Sequence, residues 1–125
     1  MAQPIRRIAI STGGGDAPGL NAVIRAVVLA AGRLGWECHG IRDGFNGLLA
    51  PGQCIGEPVL PLPPEAVHGI GHLGGTILGS TNRGNPLKYP IQMPDGGIRE
   101  VDRSDELIER FALHVFDALV TVGGD

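Results

Sequence analysis

The chain has 125 residues, which is the size of one domain or part of one. A hydrophobic fraction of 42% allows a buried core, whereas 18% charged residues and a net charge of −3 argue against a basic surface for nucleic acid. No apolar stretch is long enough for a membrane span or a signal peptide, and two distant cysteines without a CxxC spacing indicate a reducing, cytoplasmic environment.

The first forty residues predict a strand, a loop, a helix and a second strand. Residues 7–11 are apolar enough for a strand, and residues 12–19 form a glycine-rich loop. Apolar side chains then recur at helical spacing from Leu20 to Leu34, and Gly35 is placed where helices commonly end. Residues 36–41 have the composition of a second strand. This order predicts an α/β fold with a mostly parallel sheet flanked by helices.

The remaining elements are shorter and less regular. In chain order we expect a turn-rich segment at 43–50, a short strand within 52–62, one or two helical turns at 64–70, a second glycine-rich loop at 74–85, and an irregular segment or small hairpin at 89–101. Ser104 is expected to be the N-cap of a helix that runs to about His114. Residues 117–122 have the composition of a buried strand.

Residues 13–19, Gly-Gly-Gly-Asp-Ala-Pro-Gly, have the pattern of a phosphate-binding loop. Glycines after a strand allow the backbone to approach a ligand closely, and the N-terminus of the following helix favours an anion. The loop is not a Walker A sequence, because Leu20 and Asn21 stand at the Lys and Ser/Thr positions. A tight strand–helix turn without a ligand explains this loop alone equally well.

Two further segments strengthen the phosphate interpretation. Residues 74–83 combine glycines and hydroxyls with Arg83, whose guanidinium suits a polyphosphate. Asp125 follows two glycines after a predicted strand, a position that suits Mg²⁺ beside substrate phosphates. The plainer explanations are an exposed loop arginine and a turn aspartate that bonds its own backbone. Because these segments fall at strand ends or in adjoining loops, together they favour a phosphoryl-transfer site.

Four stretches of the chain resemble the 6-phosphofructokinases. They are TGGGDAPGLNAVIR at 12–25, DGFNGL at 43–48, GGTILGSTNRGNP at 74–86 and ALVTVGGD at 118–125. The resemblance implies a Rossmann-like fold, truncated, in which residues 1–125 are the N-terminal part of the phosphoryl-donor-binding domain. It also implies a glycolytic enzyme that uses Mg²⁺ and transfers a phosphoryl group from ATP or pyrophosphate to the 1-hydroxyl of fructose 6-phosphate.

The same resemblance assigns the phosphoryl donor to six residues, namely Gly14, Gly15, Asn82, Arg83, Gly124 and Asp125. Arg83 matches the arginine that reaches the donor phosphates, and an ungapped comparison puts Asn82 there instead. Asp125 matches the Mg²⁺-associated aspartate, and Asp16 is expected to support the first loop. The general base and most fructose 6-phosphate contacts are expected beyond residue 125, so the chain alone is not expected to turn over.

The resemblance also bears on donor choice, regulation and assembly. The TNRGNP stretch is more similar to the pyrophosphate-using and mixed-donor branch than to the common bacterial ATP enzyme, and the residue that selects the donor would follow Asp125. Arg25 matches an effector-binding position, but Leu29 replaces the second arginine, which favours a solvated helix arginine. The full-length enzyme is expected to be a cytoplasmic homodimer or homotetramer.

Two other functions are compatible with parts of the pattern. A NAD-kinase-like enzyme would share the Gly-Gly-Asp sequence, although the loop at 74–86 argues against it. A non-catalytic phosphate-binding or regulatory subunit would keep the fold and lack the general base.

Overall fold

A computed structural model of the chain describes residues 4–13, 19–81 and 85–123. Its main sheet contains β1 (Arg7–Gly13), β2 (Glu37–Ile41), β3 (Val59–Pro61) and β6 (Ala118–Gly123). A separate hairpin consists of β4 (Tyr89–Gln92) and β5 (Ile98–Val101). The helices are α1 (Leu20–Arg33), α2 (Asn46–Leu49) and α3 (Ser104–Leu113).

The main sheet has four strands in the order β3-β2-β1-β6. β1 pairs in parallel with both β2 and β6, and only β3 is antiparallel to its neighbour. The predicted mostly parallel α/β sheet is therefore confirmed. Since β1, β2 and β6 run in the same direction, their carboxyl ends lie at one edge of the sheet, and this edge is where ligands bind in open α/β folds.

Alternate residues of β1 enter two separate hydrophobic clusters. Ile8 and Ile10 pack with Ile24 and Val28 of α1 on one face of the sheet. Ala9 lies in a second cluster on the other face, with Leu48 of α2 and side chains of α3 at its border. Because successive strand residues point to opposite faces, this alternation means that helices cover both faces of the sheet.

α1 follows from the apolar periodicity of its sequence. The residues that recur at helical spacing and face the sheet are buried, and they include Leu20, Ile24, Val28 and Ala31. The helix ends at Arg33, with Gly35 in the left-handed conformation two residues later. Both predicted ends of this helix are confirmed to within a residue.

Several predicted bounds differ from the structure for identifiable reasons. β1 is two residues longer than predicted, because Thr12 and Gly13 continue the pairing with β6. Four residues of the turn-rich segment form α2, where Ala50 N–H donates to the Asn46 carbonyl. The hairpin is present, with the Gly97 N–H donating to the Asp95 carboxylate in its turn.

Ser104 is not the N-cap of α3, contrary to the prediction. It is the first helical residue, and Arg103 occupies the cap position without a side-chain cap bond. Both the Ser104 N–H and its hydroxyl donate to Asp102 Oδ1, at 2.8 and 2.6 Å. Asp102, two residues earlier, therefore makes the local bond that the sequence pattern assigned to Ser104.

β6 is not fully buried, again contrary to the prediction. Ala118, Val120 and Val122 pack against the α1-side cluster, whereas Leu119 and Thr121 are exposed. β6 pairs with β1 alone among the described strands, so one face and one edge of it are open. Within the described ranges no helix is long and apolar enough to span a membrane.

Candidate functional site

The six residues assigned to the phosphoryl donor lie outside the described residues, as does Asp16. The structure describes the residues on either side of them in the chain. Gly13 and Gly19 flank the first glycine-rich segment, and Thr81 and Asn85 flank the second. Gly123 precedes the Gly-Asp pair.

The first and third segments start from neighbouring strand ends. Gly13 at the end of β1 is in register with Gly123 at the end of β6. A Cβ placed on Gly123 would collide with the backbone of Gly13, so the two strands approach at a distance that only glycine permits at this position. Gly14 and Gly124 each follow directly along the chain from this contact.

The start of α1 is suited to an anion. Its N-cap is Gly19, which offers no capping side chain, and its first turn contains no acidic residue. The helix has 14 residues, so the partial positive charge of its N-terminus is fully developed and is not offset by its own side chains.

A buried asparagine joins α1 to the second glycine-rich loop. Asn21 is 2% exposed, and its Nδ2 donates to the carbonyls of Leu73 and Gly74 at 3.3 and 3.1 Å. Its Oδ1 accepts from the Ile77 N–H at 2.7 Å. Both ends of the side-chain amide are therefore satisfied by the backbone of this loop.

Two threonines join the end of β1 to the same loop. Thr12 is fully buried, and its hydroxyl donates to the Gly79 carbonyl at 2.8 Å. The same oxygen lies 2.8 Å from Thr76 Oγ1. A carbonyl can only accept, so the single Thr12 proton goes to Gly79 and Thr76 donates to Thr12. Thr76 Oγ1 in turn accepts from the Leu78 N–H at 3.1 Å.

The DGFNGL segment, residues 43–48, also contacts the second glycine-rich loop. The Asp43 N–H donates to the Leu78 carbonyl at 2.8 Å. The Asp43 carboxylate also lies against Gly79, whose φ of 75° places its missing side chain where that carboxylate stands. Burial, followed by this carboxylate, raises the pKa of the nearby Cys54 thiol. A Cβ at Gly44 would contact Thr81 at 3.3 Å, so this segment also lies close to the last described residue before position 82.

These contacts bring residues that flank the three predicted segments to one edge of the sheet. β1 ends at Gly13, α1 begins after Gly19, and side chains of both elements bind the loop at 73–79. Gly123 of β6 lies beside Gly13 of β1. Among the described residues no group of three or more His, Cys, Asp or Glu side chains could hold a metal ion. Arg25 is exposed on α1, in agreement with its interpretation as a solvated arginine.

The sequence did not identify the residues that assemble this edge, which are Thr12, Asn21 and Thr76. Asn21 stood out only as a residue that breaks a Walker A pattern. The available signal was a polar residue on the buried face of an amphipathic helix, since such a group needs a partner. That signal does not name the partner, which lies more than fifty residues away along the chain.

The fold and the residues at this edge define a class of protein. A mostly parallel sheet with glycine-rich loops and a helix N-terminus at the carboxyl ends of its strands is an open α/β protein that binds ligands at that edge. The phosphofructokinase family profile matches residues 7–125. The chain belongs to the phosphofructokinase family.

Curated relatives agree with this assignment. The chain is 44% identical over 126 residues to "ATP-dependent 6-phosphofructokinase 2" of Clostridium perfringens, covering 100% of this chain and 33% of the relative. It is 48% identical over 121 residues to "ATP-dependent 6-phosphofructokinase 1" of Nostoc sp., covering 96% of this chain and 31% of the relative. The chain thus spans about a third of the length of the curated relatives it matches.

Solved structures show the same similarity in three dimensions. The phosphofructokinase of Saccharomyces cerevisiae matches with a TM-score of 0.71 at 29% identity, over 95% of this chain and 14% of the yeast chain. The T-state phosphofructokinase of Pichia pastoris matches with a TM-score of 0.72 at 28% identity, over 99% of this chain and 12% of that one. These matches place the fold among phosphofructokinases.

Proposed function

We propose that this chain is the N-terminal part of the phosphoryl-donor-binding domain of a 6-phosphofructokinase. The enzyme transfers a phosphoryl group to the 1-hydroxyl of fructose 6-phosphate and forms fructose 1,6-bisphosphate. The observation that carries the proposal is the register of Gly13 with Gly123 beside the anchored loop at 73–81. It brings Gly13, Gly123 and the loop at 73–81 to one edge, and these residues lead into the three glycine-rich segments from which the proposed polyphosphate site is built.

In this proposal the donor is bound by backbone groups and one cation. The backbone N–H groups of Gly14, Gly15 and Gly124 face the donor phosphates, which the open N-terminus of α1 also attracts. Arg83 reaches the same phosphates, with Asn82 beside it or in its place. Asp125 holds Mg²⁺, which when bound offsets negative charge on the transferring group.

Catalysis then depends on positioning and on charge stabilisation. Phosphoryl transfer needs little covalent chemistry from the protein, so the fixed geometry of the loops and the guanidinium supplies most of the effect from this chain. A group beyond residue 125 accepts the proton of the sugar hydroxyl. The chain by itself therefore binds the donor without completing the reaction.

ATP is the donor that we propose. The Clostridium perfringens and Nostoc relatives are both named ATP-dependent, and each is more than 40% identical to this chain. Pyrophosphate, which the TNRGNP stretch favours, is the alternative donor. The cytoplasmic location and the homo-oligomeric state of the whole enzyme stay predictions that accompany this proposal.

The experiment uses a protein of the relatives' full length that carries this sequence. Purified protein is assayed with Mg²⁺ and fructose 6-phosphate, using ATP and pyrophosphate in separate reactions, and with NAD as an alternative acceptor. We expect fructose 1,6-bisphosphate to form with ATP. Phosphorylation of NAD alone would establish the NAD-kinase-like function, and phosphate binding without any transfer would establish the non-catalytic one.

A variant pair tests the role of the arginine. Arg83→Ala is expected to lower kcat/KM for the donor by about 100-fold, because a charge-assisted contact to the transferring group is lost. Arg99→Ala is the matched control, since Arg99 is exposed on the β4–β5 hairpin. Equal kinetics for the two variants would remove Arg83 from the donor site, and the same comparison with Asn82→Ala decides between the two positions.

A further inference from the structure

The loop that leads to Arg83 has no regular secondary structure of its own. Residues 73–81 contain no strand or helix, so no backbone ladder fixes their position. Leu78, fully buried, anchors the middle of the segment by packing. The Asp43 N–H donates to the Leu78 carbonyl, and side chains of other elements also hydrogen-bond to the backbone of this segment.

Two of those side chains belong to the elements that flank the first glycine-rich segment. Thr12 stands immediately before Gly13 and bonds the Gly79 carbonyl, with Thr76 donating to its oxygen. Asn21 stands two residues after Gly19 and bonds the loop backbone at positions 73, 74 and 77. The end of β1 and the start of α1 therefore both hydrogen-bond to the second loop, between residues 73 and 79.

This arrangement fixes one loop relative to the other. β1 and α1 flank residues 14–18 in the chain, and side chains of the same two elements hydrogen-bond to residues 73–79. A displacement of the second loop requires the hydrogen bonds of Asn21 or Thr12 to break, and this leaves buried polar groups without partners, which is unfavourable.

We propose that Thr12 and Asn21 are positioning residues for the phosphoryl donor. They contact neither the donor nor the sugar, and act by fixing the loop at 73–79 relative to Gly13 and Gly19, the residues that flank the first glycine-rich segment. This inference rests on the proposed function of the two loops. It predicts a defect specific to the donor, since the bonds lie in the donor-binding part of the protein alone.

Conservative substitutions at position 12 provide the test, in a protein of the relatives' full length. Thr12→Val keeps the shape and removes the hydroxyl, and Thr12→Ser keeps the hydroxyl. We expect Thr12→Val to raise the KM for ATP about tenfold, while the KM for fructose 6-phosphate stays within about twofold. Thr12→Ser is expected to restore the KM for ATP to within about threefold of the parent. Asn21→Asp, which loses both donated bonds, should repeat the donor-specific defect.

A control separates positioning from loss of stability. Tyr89→Phe removes a hydrogen bond of 2.7 Å to Asn46, the first residue of α2, which is a similar part-buried bond between other elements. It is expected to lower the urea midpoint without changing the KM for ATP. Where Thr12→Val does not fold, the half-buried Thr76→Val takes its place, because it removes the hydroxyl that links the loop to Thr12 together with the acceptor of the Leu78 N–H.

The outcomes distinguish this inference from the proposed function. An active parent whose folded Thr12→Val and Asn21→Asp variants keep the parental KM for ATP overturns the inference alone. An equal rise of both KM values, or a Tyr89→Phe variant with the same rise, also overturns it. If the parent shows no transfer, the proposed function fails, and the equilibrium binding of ATP is measured in place of the KM. Weaker ATP binding by Thr12→Val than by Thr12→Ser then supports the inference. Equal binding by the two variants, or no binding, overturns it.

Discussion

Gly13 and Gly123 stand side by side at the carboxyl ends of β1 and β6, where the backbone of one occupies the space that a side chain on the other would need. The close approach of these two strand ends therefore depends on the absence of a side chain at Gly123.

Gly123→Ala is predicted to push these strand ends apart. Overpacking against rigid backbone costs about 1–3 kcal/mol, and the displaced strand end carries residues 124 and 125 with it. We expect a lower urea midpoint and, in a protein of full length, a raised KM for the phosphoryl donor. Urea unfolding and steady-state kinetics with ATP measure the two effects.

Gly52→Ala is the matched control for that substitution. No atom lies within 4 Å of a Cβ at Gly52, which is in a short 3₁₀ turn far along the chain from the loops. It is expected to change neither stability nor donor KM appreciably. If Gly123→Ala behaves like Gly52→Ala, the close approach of the two strand ends does not determine the site geometry.

The sequence predicted best those elements whose pattern lies within one short stretch of the chain. The apolar spacing of α1 and the runs that form β1, β2 and β6 are local, and they predicted these elements to within two residues. β6 was expected to be buried because Leu119 and Thr121 lie in an apolar run. Their exposure depends on whether another element covers that face of β6, and composition carries no information about which element does so.

The residues of the candidate site also differ in whether a local sequence pattern reveals them. Glycine patterns and Arg83 are visible in the sequence because their chemistry depends on residue type and spacing. The contacts of Thr12 and Asn21 are visible only in the structure, because each side chain bonds the backbone of a loop more than fifty residues away. Backbone groups have no sequence signature, so no pattern could have paired these side chains with their acceptors.

Val115 provides a prediction about stability. It follows the C-cap of α3 with a φ of 58°, is 70% exposed, and is β-branched, so it has an unfavourable backbone conformation with little packing to offset it. Glycine is the common residue at this position after a helix. Val115→Gly is therefore expected to stabilise the protein by up to about 1 kcal/mol, measured by urea unfolding.

Ala112→Gly is the control for Val115→Gly. Ala112 lies inside α3 and is exposed, so glycine there removes helix propensity without relieving strain, and should destabilise by about 1 kcal/mol. Opposite signs for the two variants would support the strained conformation of Val115. Destabilisation by both would show that Val115 is not strained in solution.

His39 leads to a prediction about pH dependence. Its ring lies 5.6 Å from that of Phe116, and its buried Nδ1 has no hydrogen-bond partner among the described residues. Burial lowers the pKa of His39, and the charge on Arg7 lowers it further, against an opposing effect of Glu37. The folded protein therefore takes up a proton at His39 at a lower pH than the unfolded chain does.

The lowered pKa of His39 makes the folded protein less stable at acidic pH. Below the ordinary histidine pKa of about 6.5, the unfolded chain binds a proton that the folded protein does not, so the free energy of unfolding falls as the pH falls. His39→Gln, which cannot titrate, is expected to reduce this dependence between about pH 7.5 and about pH 5 in urea-unfolding experiments. Trp36→Phe, a neighbouring substitution without a titrating group, should change stability by a similar amount at each pH. If His39→Gln retains the full slope, the acid sensitivity arises from other groups, and the burial of His39 has no measurable effect on its protonation.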